Sequence, residues 1–338
     1  MPLIRLLKRA KRTLYALKTE VTFRKWKAFV RYLGPGTAAS MLSGKAIDIL
    51  TGYRTSFYNK QMVRFCTSQF KDIAEDCLQQ GETSTASDPH APIPVFWLWW
   101  SGLEEAPECV QRCVESHKTW LQAPDFEYHF LTKDNLSRYI TLPDIIRKRY
   151  EAGQMTLTHL SDYIRTQLLY RYGGLWIDAT LLITGPFDEA FYSLPFYSNK
   201  KFTYSVKNRR YIPSGRWTVY FIKSEKGSLL FHFLSRSYEA YWSSYDEILD
   251  YYLLDYLIHT ACLLLPSVSA MIHAVPENNP RTFDLYEMRN SPYVPDQVSS
   301  LLRENVIHKF SYKDVYRLAD HTDAPTVWQY ILSESKPL

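Results

Sequence analysis

Residues 157–183 bring acidic, basic and aromatic side chains together at spacings that suit a binding or catalytic site. Asp162 and Arg165 are three positions apart in a segment whose apolar residues recur at helical spacing, so they share one face of a predicted helix. Asp178 is the only acid in the apolar segment 175–183, which predicts a strand. A carboxylate in a buried strand is unfavourable unless a partner charge or a bound metal ion offsets its desolvation. Asp178 is therefore the most informative position of the chain.

A helix, a tight turn and a strand are predicted to position these side chains. The helix covers residues 157–172 and ends at two consecutive glycines, because glycine readily adopts the left-handed conformation that follows a helix. Successive residues of a strand point to opposite faces. We therefore expect Trp176, Asp178 and Thr180 on one face of the strand that follows.

Less specific interpretations of the same residues remain open at this point. Asp178 can be a strand-end carboxylate that caps a neighbouring loop. Asp162 and Arg165 can form an exposed ion pair, which contributes little free energy. The combination of these three residues with the glycine turn and an apolar first strand favours a functional site.

The chain from residue 93 onward predicts an α/β fold. Residues 94–100 form a continuous apolar run between a proline and Ser101-Gly102, which fits a strand covered on both faces, as in a parallel sheet. Helical and strand-like segments then alternate, as is typical of α/β proteins. The helices are expected at residues 107–120, 143–151 and 157–172, and the strands at residues 126–131 and 175–183.

These motifs resemble the DXD-sugar-binding glycosyltransferases, and most of all the capsular polysaccharide synthesis family. The resemblance rests on the stretch Ser161-Asp162-x-x-Arg165 … Tyr172-Gly173-Gly174-Leu175-Trp176-Ile177-Asp178, in which the acidic motif reads WIDAT as in that family. Residues 93–107 match the family's opening pattern, and residues 251–256 and 275–280 resemble later family segments. More distant relatives are the Och1-type glycosyltransferases and the large clostridial glucosylating toxins. The resemblance covers residues 92–315.

The resemblance implies an α/β fold with a GT-A-type, Rossmann-like glycosyltransferase core. The helical N-terminal region before it is predicted from the helical spacing of its apolar residues. The expected organisation is a helical region at residues 1–80, a polar linker at 81–92 and a catalytic domain at 93–338. The implied activity is that of a hexosyltransferase with a nucleotide-sugar donor, for which relatives suggest UDP and a retaining outcome. The acceptor would be a glycan or a lipid-linked glycan in capsular or other cell-surface polysaccharide synthesis.

The resemblance also assigns donor binding to particular side chains. Trp99, at the end of the first strand, would stack on the nucleotide base. Leu157 and Ser161 would line the pocket for the base and the ribose. Asp162 and Arg165 would hydrogen-bond the hydroxyls of the donor sugar, for which a carboxylate and a forked guanidinium are well suited.

Asp178 matches the first Asp of the DXD motif and would contact the ribose and the metal shell. Beside it, Trp176 stands where relatives place an aromatic ring against the nucleotide. The second Asp, usually the direct ligand of Mn²⁺ or Mg²⁺, is Thr180 here, and a hydroxyl is a weaker ligand for a hard cation. Either Asp178, the diphosphate and water hold the metal, or the dependence on metal is relaxed. The capsular family commonly carries this threonine, so it does not indicate an inactive enzyme.

Two polar residues in the second half of the chain are further candidates. Asp255 lies in an apolar helical run, where a single acid is expected to be catalytic or to cap the helix. His308 is a candidate contact for the diphosphate, and the alternative is a histidine on the surface. The catalytic candidates are thus Asp178 and Asp255.

The N-terminus has a charge pattern of its own. The first 31 residues carry a formal charge of +9, whereas the other 307 residues carry −4. Apolar positions recur at helical spacing within residues 3–33 with basic residues between them, which predicts a basic amphipathic helix. Such a helix suits an anionic membrane surface; packing on its own domain and self-association are the alternatives. Because neither a signal peptide nor an apolar membrane span is visible, we expect a cytoplasmic protein, peripheral on the inner face of the cell membrane.

Other functional classes lack their motifs in this sequence. There is no GxGxxG after a strand, no P-loop, no HExxH and no GxSxG, and no nucleic-acid recognition motif accompanies the basic N-terminus. The five cysteines contain no CxxC pair and are expected to be reduced thiols. The remaining alternative is a non-catalytic, membrane-tethered component of a polysaccharide assembly complex with a decayed donor site. Thr180 is its main argument, and the joint presence of Asp162, Arg165, Trp176 and Asp178 argues against it.

Overall fold

In the computed structural model, which describes residues 22–51, 56–81, 91–122, 124–200 and 212–333, five strands form a central mixed sheet. They are β1 (Ile93–Leu98), β2 (Phe126–Leu131), β3 (Gly174–Ile177), β5 (Phe196–Ser198) and β6 (Phe221–Ser224). The order is β2-β1-β3-β6-β5; β1 runs parallel to β2 and β3, whereas β6 is antiparallel to β3 and β5. A second sheet pairs β4 (Leu181–Ile183) with β7 (Ile307–Lys309). The expected α/β fold is confirmed, and its parallel-rich part is consistent with a Rossmann-like core.

The helices of the described residues fall before, between and after these strands. Those expected from sequence near residues 107–120, 143–151 and 157–172 are present within one residue of the expected bounds. In chain order the helices are α1 (Phe23–Leu33), α2 (Pro35–Thr51), α3 (Ser56–Gln80), α4 (Glu108–Trp120), α5 (Asp144–Glu151), α6 (Leu157–Tyr172), α7 (Glu189–Ser193), α8 (Leu229–Ser244), α9 (Leu253–Leu264), α10 (Pro266–Ala274), α11 (Asp284–Met288), α12 (Pro295–Glu304) and α13 (Val327–Ser333).

Helix α1 packs against the body of the protein. Its Phe29 is buried in the main core, Arg31 Nη1 lies 3.0 Å from Asp246 Oδ2, and Arg24 pairs with Glu247. Gly34, with a φ of 81°, separates α1 from the next helix. For residues 23–33 the structure therefore agrees with the packing alternative. Residues 3–21 of the expected amphipathic helix, and most of the expected linker 81–92, lie outside the described residues.

The expected continuous strand 175–183 is wrong, because the chain turns at Asp178. The Asp178 N–H donates to the Tyr220 carbonyl at 2.8 Å and ends the pairing with β6. The Leu181 N–H then donates to the Asp178 carbonyl at 3.0 Å, which closes a tight turn, and β4 continues in the second sheet. Strand alternation therefore does not set the directions of the Asp178 and Thr180 side chains.

The two glycines that join α6 to β3 are required by their backbone conformation and by the close approach of neighbouring backbone atoms. Gly173 and Gly174 have φ values of 70° and 86°, a region that favours glycine. A Cβ atom on Gly174 would lie 2.1 Å from the carbonyl oxygen of Pro94 in β1. The expected glycine turn is confirmed, and it lets β3 lie against β1 directly after the helix.

Two hydrophobic clusters hold this arrangement together. The larger one surrounds the central sheet and includes residues of α1, α3, α6, α8 and α9. The smaller one packs Leu182 of β4 against Phe310 and Trp328 near the C-terminus. Among the described residues no single helix has the length and apolar character of a membrane span; α9 and α10 meet that test only jointly, with a bend of 112° between them.

Candidate active site

Asp178 lies directly after β3, and three side chains hold its carboxylate. Oδ1 accepts hydrogen bonds from Arg165 Nη2 at 3.3 Å and from Trp176 Nε1 at 3.1 Å. Oδ2 accepts from Lys309 Nζ at 2.8 Å. The Asp178 side chain is 30% exposed, so a ligand can reach the carboxylate from solvent. Its partners are side chains rather than the backbone of a loop, which argues against the loop-cap interpretation.

The charges around Asp178 keep this carboxylate ionised. Burial raises its pKa, but the positive charges of Lys309 and Arg165 outweigh burial. The net effect is a pKa below the ordinary value for an aspartate. Asp178 therefore carries a full negative charge at neutral pH and can accept hydrogen bonds from a ligand or hold a cation.

Helix α6 supplies a buried ion pair beside Asp178. The helix begins after Thr156, whose side chain caps it by accepting from the His159 N–H. Further along the helix, Arg165 Nη1 donates to Asp162 Oδ1 at 2.8 Å, and these side chains are only 6% and 10% exposed. Burial raises the pKa of Asp162, and Arg165 counteracts this effect. The alternative of an exposed surface pair is wrong for these residues.

Arg165 connects the helix to the end of β3. Its guanidinium contacts Asp162 and Asp178 and also lies over the Trp176 ring, with 4.8 Å between the guanidinium carbon and the ring centroid. Within the described part of the chain, its buried Nε has no hydrogen-bond partner. A buried N–H of this kind is expected to meet a water or a ligand.

Lys309 was missed by sequence reasoning. It lies at the end of β7, opposite Leu181 of β4, and its Nζ donates to Asp178 Oδ2 at 2.8 Å and to Thr180 Oγ1 at 2.6 Å. The side chain is 17% exposed. The signal available in the sequence was the neighbouring His308, but only the pairing of β4 with β7 shows which of the two side chains faces Asp178.

His308 is not brought to Asp178. Its ring is fully buried, and Nε2 lies 3.1 Å from Thr184 Oγ1. Burial lowers the pKa of His308 to about 3, so the ring is neutral at physiological pH. The alternative of a surface histidine is also wrong, because neighbouring residues of β7 point to opposite faces and His308 takes the inner one.

Asp255 occupies the first turn of α9 and is buried. Its Oδ1 accepts a hydrogen bond from Trp217 Nε1 at 2.9 Å. Burial raises the pKa of Asp255 to about 7, and the charge of Asp162 acts in the same direction. This carboxyl therefore changes its protonation near neutral pH, although the contacts of the described residues do not join it to Asp178.

Trp99, the residue expected to stack on the base, shares one edge of the sheet with Asp178. Because β1 and β3 are parallel neighbours, Trp99 after β1 and Asp178 after β3 lie at the same carboxyl edge. The Trp99 ring is partly buried and meets Tyr312 edge-on, with 5.2 Å between centroids. Leu157 is exposed and Ser161 half-buried at the start of α6. Such an edge is where open α/β sheets bind nucleotides.

The side chains at this edge fit a bound divalent metal ion poorly. Among the described residues no group of three or more His, Cys, Asp or Glu side chains is placed to hold a metal. The side-chain oxygens of Asp178 and Thr180, which are expected to face the metal ion, both accept hydrogen bonds from the Lys309 ammonium. A hard cation prefers several carboxylate or carbonyl oxygens, and here one carboxylate and one hydroxyl are already engaged by a positive charge.

Comparison with known proteins gives one family and several partial relatives. The family model described as "Capsular polysaccharide synthesis protein" matches residues 49–326. "Glycosyltransferase afumC" of Aspergillus fumigatus is 33% identical over 122 residues, which cover 33% of this chain and 29% of the relative. "O-glycosyltransferase PaGT" of Phomopsis amygdali is 28% identical over 99 residues, 26% of this chain and 24% of the relative. "O-glycosyltransferase braB" of Annulohypoxylon truncatum is 30% identical over 95 residues, 25% of this chain and 22% of the relative.

These similarities are partial. The matched segments span less than a third of the length of each of these relatives. No solved structure matches the chain.

Proposed function

Because the chain belongs to the capsular polysaccharide synthesis protein family, we propose that it is a glycosyltransferase that uses a nucleotide-sugar donor. One observation carries the proposal: the buried Arg165 joins Asp162 of α6 to Asp178 at the carboxyl edge of β3. Relatives named as glycosyltransferases support the class of reaction. The proposed core is of the GT-A type, with the donor across this edge of the sheet.

We propose that the nucleotide lies along the ends of β1 and β3. Trp99 would stack on the base, for which UDP is the proposed nucleotide, with Leu157 and Ser161 lining the base and ribose pocket. The exposure of Leu157 and the position of Trp99 at the sheet edge support this placement. Trp176 is fully buried under Arg165, so its proposed part is to position the guanidinium and Asp178.

The donor sugar is proposed to meet the pair formed by Asp162 and Arg165. A carboxylate accepts and a guanidinium donates, so together they can bind adjacent sugar hydroxyls. The buried Nε of Arg165, which has no partner within the described residues, is the donor that a sugar hydroxyl can satisfy. The tight packing of this pair favours one sugar orientation at the reacting carbon.

In the proposed reaction the bond between the anomeric carbon and the β-phosphate oxygen breaks, and its electron pair leaves with the nucleoside diphosphate. The acceptor hydroxyl oxygen forms the new bond to the anomeric carbon and loses its proton. Asp255 is the proposed acceptor of that proton, because it lies close enough to Asp162 and Arg165 for their charges to act on it and its pKa of about 7 allows uptake near neutral pH. Transfer of a hexose with retention of configuration is drawn from the resemblance, and in a single displacement it requires the acceptor oxygen to attack from the face of the sugar that the diphosphate leaves.

The acceptor and the cellular setting belong to the same proposal. A glycan or lipid-linked glycan of a capsular or other cell-surface polysaccharide is the proposed acceptor. The protein would act in the cytoplasm at the inner face of the membrane, held by the basic N-terminal residues. The positive charge of that segment, +9 over the first 31 residues, supports attraction to an anionic surface.

A screen of nucleotide sugars by thermal unfolding tests the donor. A bound donor raises the midpoint temperature of unfolding by mass action, and we expect a UDP-sugar to give the largest rise. The same sugar should then be hydrolysed slowly without acceptor, measured as release of free nucleotide. Binding without any release, with or without candidate glycan acceptors, would instead favour the non-catalytic assembly component. Absence of any binding would contradict the donor site itself.

A further inference from the structure

We propose that the ammonium group of Lys309 takes the place of the divalent cation at the DXD position, so that the donor diphosphate is bound and neutralised without a metal ion. This inference rests on the proposed function, because it assigns the diphosphate of the same donor. It is carried by the contacts of Lys309 with both oxygen-bearing side chains of the motif, Asp178 and Thr180.

The backbone fixes the position of Lys309. Strand β7 pairs with β4 so that Lys309 lies opposite Leu181, and the Phe310 N–H donates to the Thr180 carbonyl at 2.9 Å. The Lys309 N–H in turn donates to the Thr282 carbonyl at 2.8 Å. The ammonium is therefore held at the turn that carries Asp178 by paired strands.

The contacts of the ammonium leave it suited to a phosphate. An ammonium has three N–H donors, and within the described residues Asp178 and Thr180 use two of them. The ammonium also lies 5.1 Å from the centroid of the Tyr220 ring, a weak contact that a phosphate oxygen at the third donor can replace. The partly exposed side chain of Lys309 is within reach of a ligand at the sheet edge. A divalent cation on the same two oxygens would lie against the ammonium, where like charges repel.

The inference also explains why Thr180 replaces the second aspartate. The four charged side chains of the site, Asp162, Arg165, Asp178 and Lys309, balance to a net charge of zero. A second aspartate at position 180 would make the site negative when no metal is bound and would repel the diphosphate. A threonine hydroxyl accepts a hydrogen bond from Lys309 at 2.6 Å and adds no charge.

The chemical role of Lys309 is electrostatic. As the bond from the anomeric carbon to the β-phosphate oxygen breaks, the electron pair moves to that oxygen and its negative charge grows. A fixed positive charge beside it stabilises the transition state more than the ground state. The step moves no proton to or from the lysine.

Calorimetric titration with UDP, and with uridine as a ligand that lacks phosphates, tests the inference on the full-length protein. We expect wild-type protein in EDTA to bind UDP within about threefold of its affinity in Mn²⁺, because the ammonium supplies the charge. Lys309→Met should weaken the binding of UDP by about tenfold or more, because a charge-assisted contact is lost, while uridine should bind as it does to wild type. Lys309→Arg should retain most of the affinity. Lys118→Met, an exposed lysine on α4, is the matched control and should behave as wild type.

The outcomes separate the inference from the proposed function. Binding of UDP by wild type only when Mn²⁺ is present overturns the role of Lys309 and leaves the glycosyltransferase proposal intact. Failure of UDP, GDP and ADP to bind under either condition overturns both. The comparison of UDP binding in EDTA and in Mn²⁺ uses wild-type protein, so it tests the inference even if Lys309→Met does not fold. A Thr180→Asp, Lys309→Met double variant should bind UDP only with Mn²⁺, and metal-independent binding by it would also contradict the inference.

Discussion

The guanidinium carbon of Arg165 lies 4.8 Å from the ring centroid of Trp176, and the two side chains share one acceptor, Oδ1 of Asp178. Stacking and a forked hydrogen-bond pattern are both properties of arginine that lysine lacks. The same guanidinium also donates to Asp162 at 2.8 Å. These contacts at position 165 therefore depend on the planar shape of the arginine side chain as well as on its charge.

We expect Arg165→Lys to fold and to bind a free nucleoside diphosphate nearly as wild type does. The variant should bind the intact nucleotide sugar about tenfold or more weakly, because it loses the guanidinium fork that is proposed to hold the sugar hydroxyls. Arg165→Ala should lower the free energy of unfolding by about 3–5 kcal/mol, since Asp162 is left buried without its cation. Titration calorimetry and urea unfolding measure these effects, with Arg147→Lys on the surface of α5 as the control. An equal loss for both ligands would reassign Arg165 to the phosphates.

Gly174→Ala should destabilise the protein far more than Gly153→Ala does. Both glycines have a positive φ, 86° and 68°, so both substitutions carry a similar backbone strain of about 1–2 kcal/mol. Only at Gly174 does the added Cβ meet another backbone atom, the Pro94 oxygen at 2.1 Å; at Gly153 there is open space. Thermal unfolding of the two variants measures the difference. Equal midpoints would show that β1 and β3 do not approach as described.

Asp255→Asn should make the stability of the protein less dependent on pH. Burial raises the folded-state pKa of Asp255 to about 7, whereas the unfolded value is about 3.9. Between about pH 4 and 7 the unfolded state loses this proton and the folded state keeps it, so stability falls as pH rises, by up to about 1.4 kcal/mol per pH unit, and levels off above pH 7. Asparagine keeps an oxygen acceptor for Trp217 Nε1 but does not titrate.

Urea unfolding of both proteins at pH 5 and pH 8 measures this effect. The contributions of all other titrating groups are the same in both proteins, so they cancel in the difference between the two free energies of unfolding. From pH 5 to pH 8, the free energy of unfolding of wild type should fall by up to about 3 kcal/mol relative to that of Asp255→Asn. A constant difference would mean that Asp255 is ionised in the folded state. If Asp255 also takes up the acceptor proton, the variant should transfer sugar more slowly with unchanged donor affinity.

Deletion of residues 1–21 should reduce membrane binding without affecting donor hydrolysis. The deletion stops before α1, because Phe29 and the pair Arg31–Asp246 fasten that helix to the body. Loss of six lysines and arginines from the N-terminus should weaken binding to vesicles that contain phosphatidylglycerol, and binding should fall with salt. Neutral phosphatidylcholine vesicles are the control in a co-sedimentation assay. Unchanged binding of the truncated protein to anionic vesicles would rule out this segment as the membrane contact.

Local features of the fold could be predicted from the sequence. The apolar spacing of residues 157–172 and the two glycines after them define α6 and its end, because both signals depend only on neighbouring residues. The juxtaposition of Asp162 and Arg165 follows from the same helix. The alternation of helices with strands was sufficient for the α/β class.

Features that depend on distant pairing could not be predicted. Asp178 and Lys309 are 131 positions apart, and their contact exists only because β4 pairs with β7. The turn at Asp178 was hidden because apolar residues continue on both sides of it and resemble one strand. His308 was considered in place of Lys309 because the sequence does not show which face of a three-residue strand is turned inward.

Turnover of Asp178→Asn tests the centre of the proposed active site most directly. Asparagine keeps the size of the side chain and one oxygen acceptor, so the variant should fold, which circular dichroism and thermal unfolding check. It removes the charge that pairs with Lys309 and Arg165, and we expect release of nucleotide from the donor to fall by about 10²-fold or more, with or without added Mn²⁺. Asp134→Asn, an exposed aspartate, is the matched control and should retain wild-type turnover. Near-wild-type turnover by folded Asp178→Asn would contradict the assignment of this site.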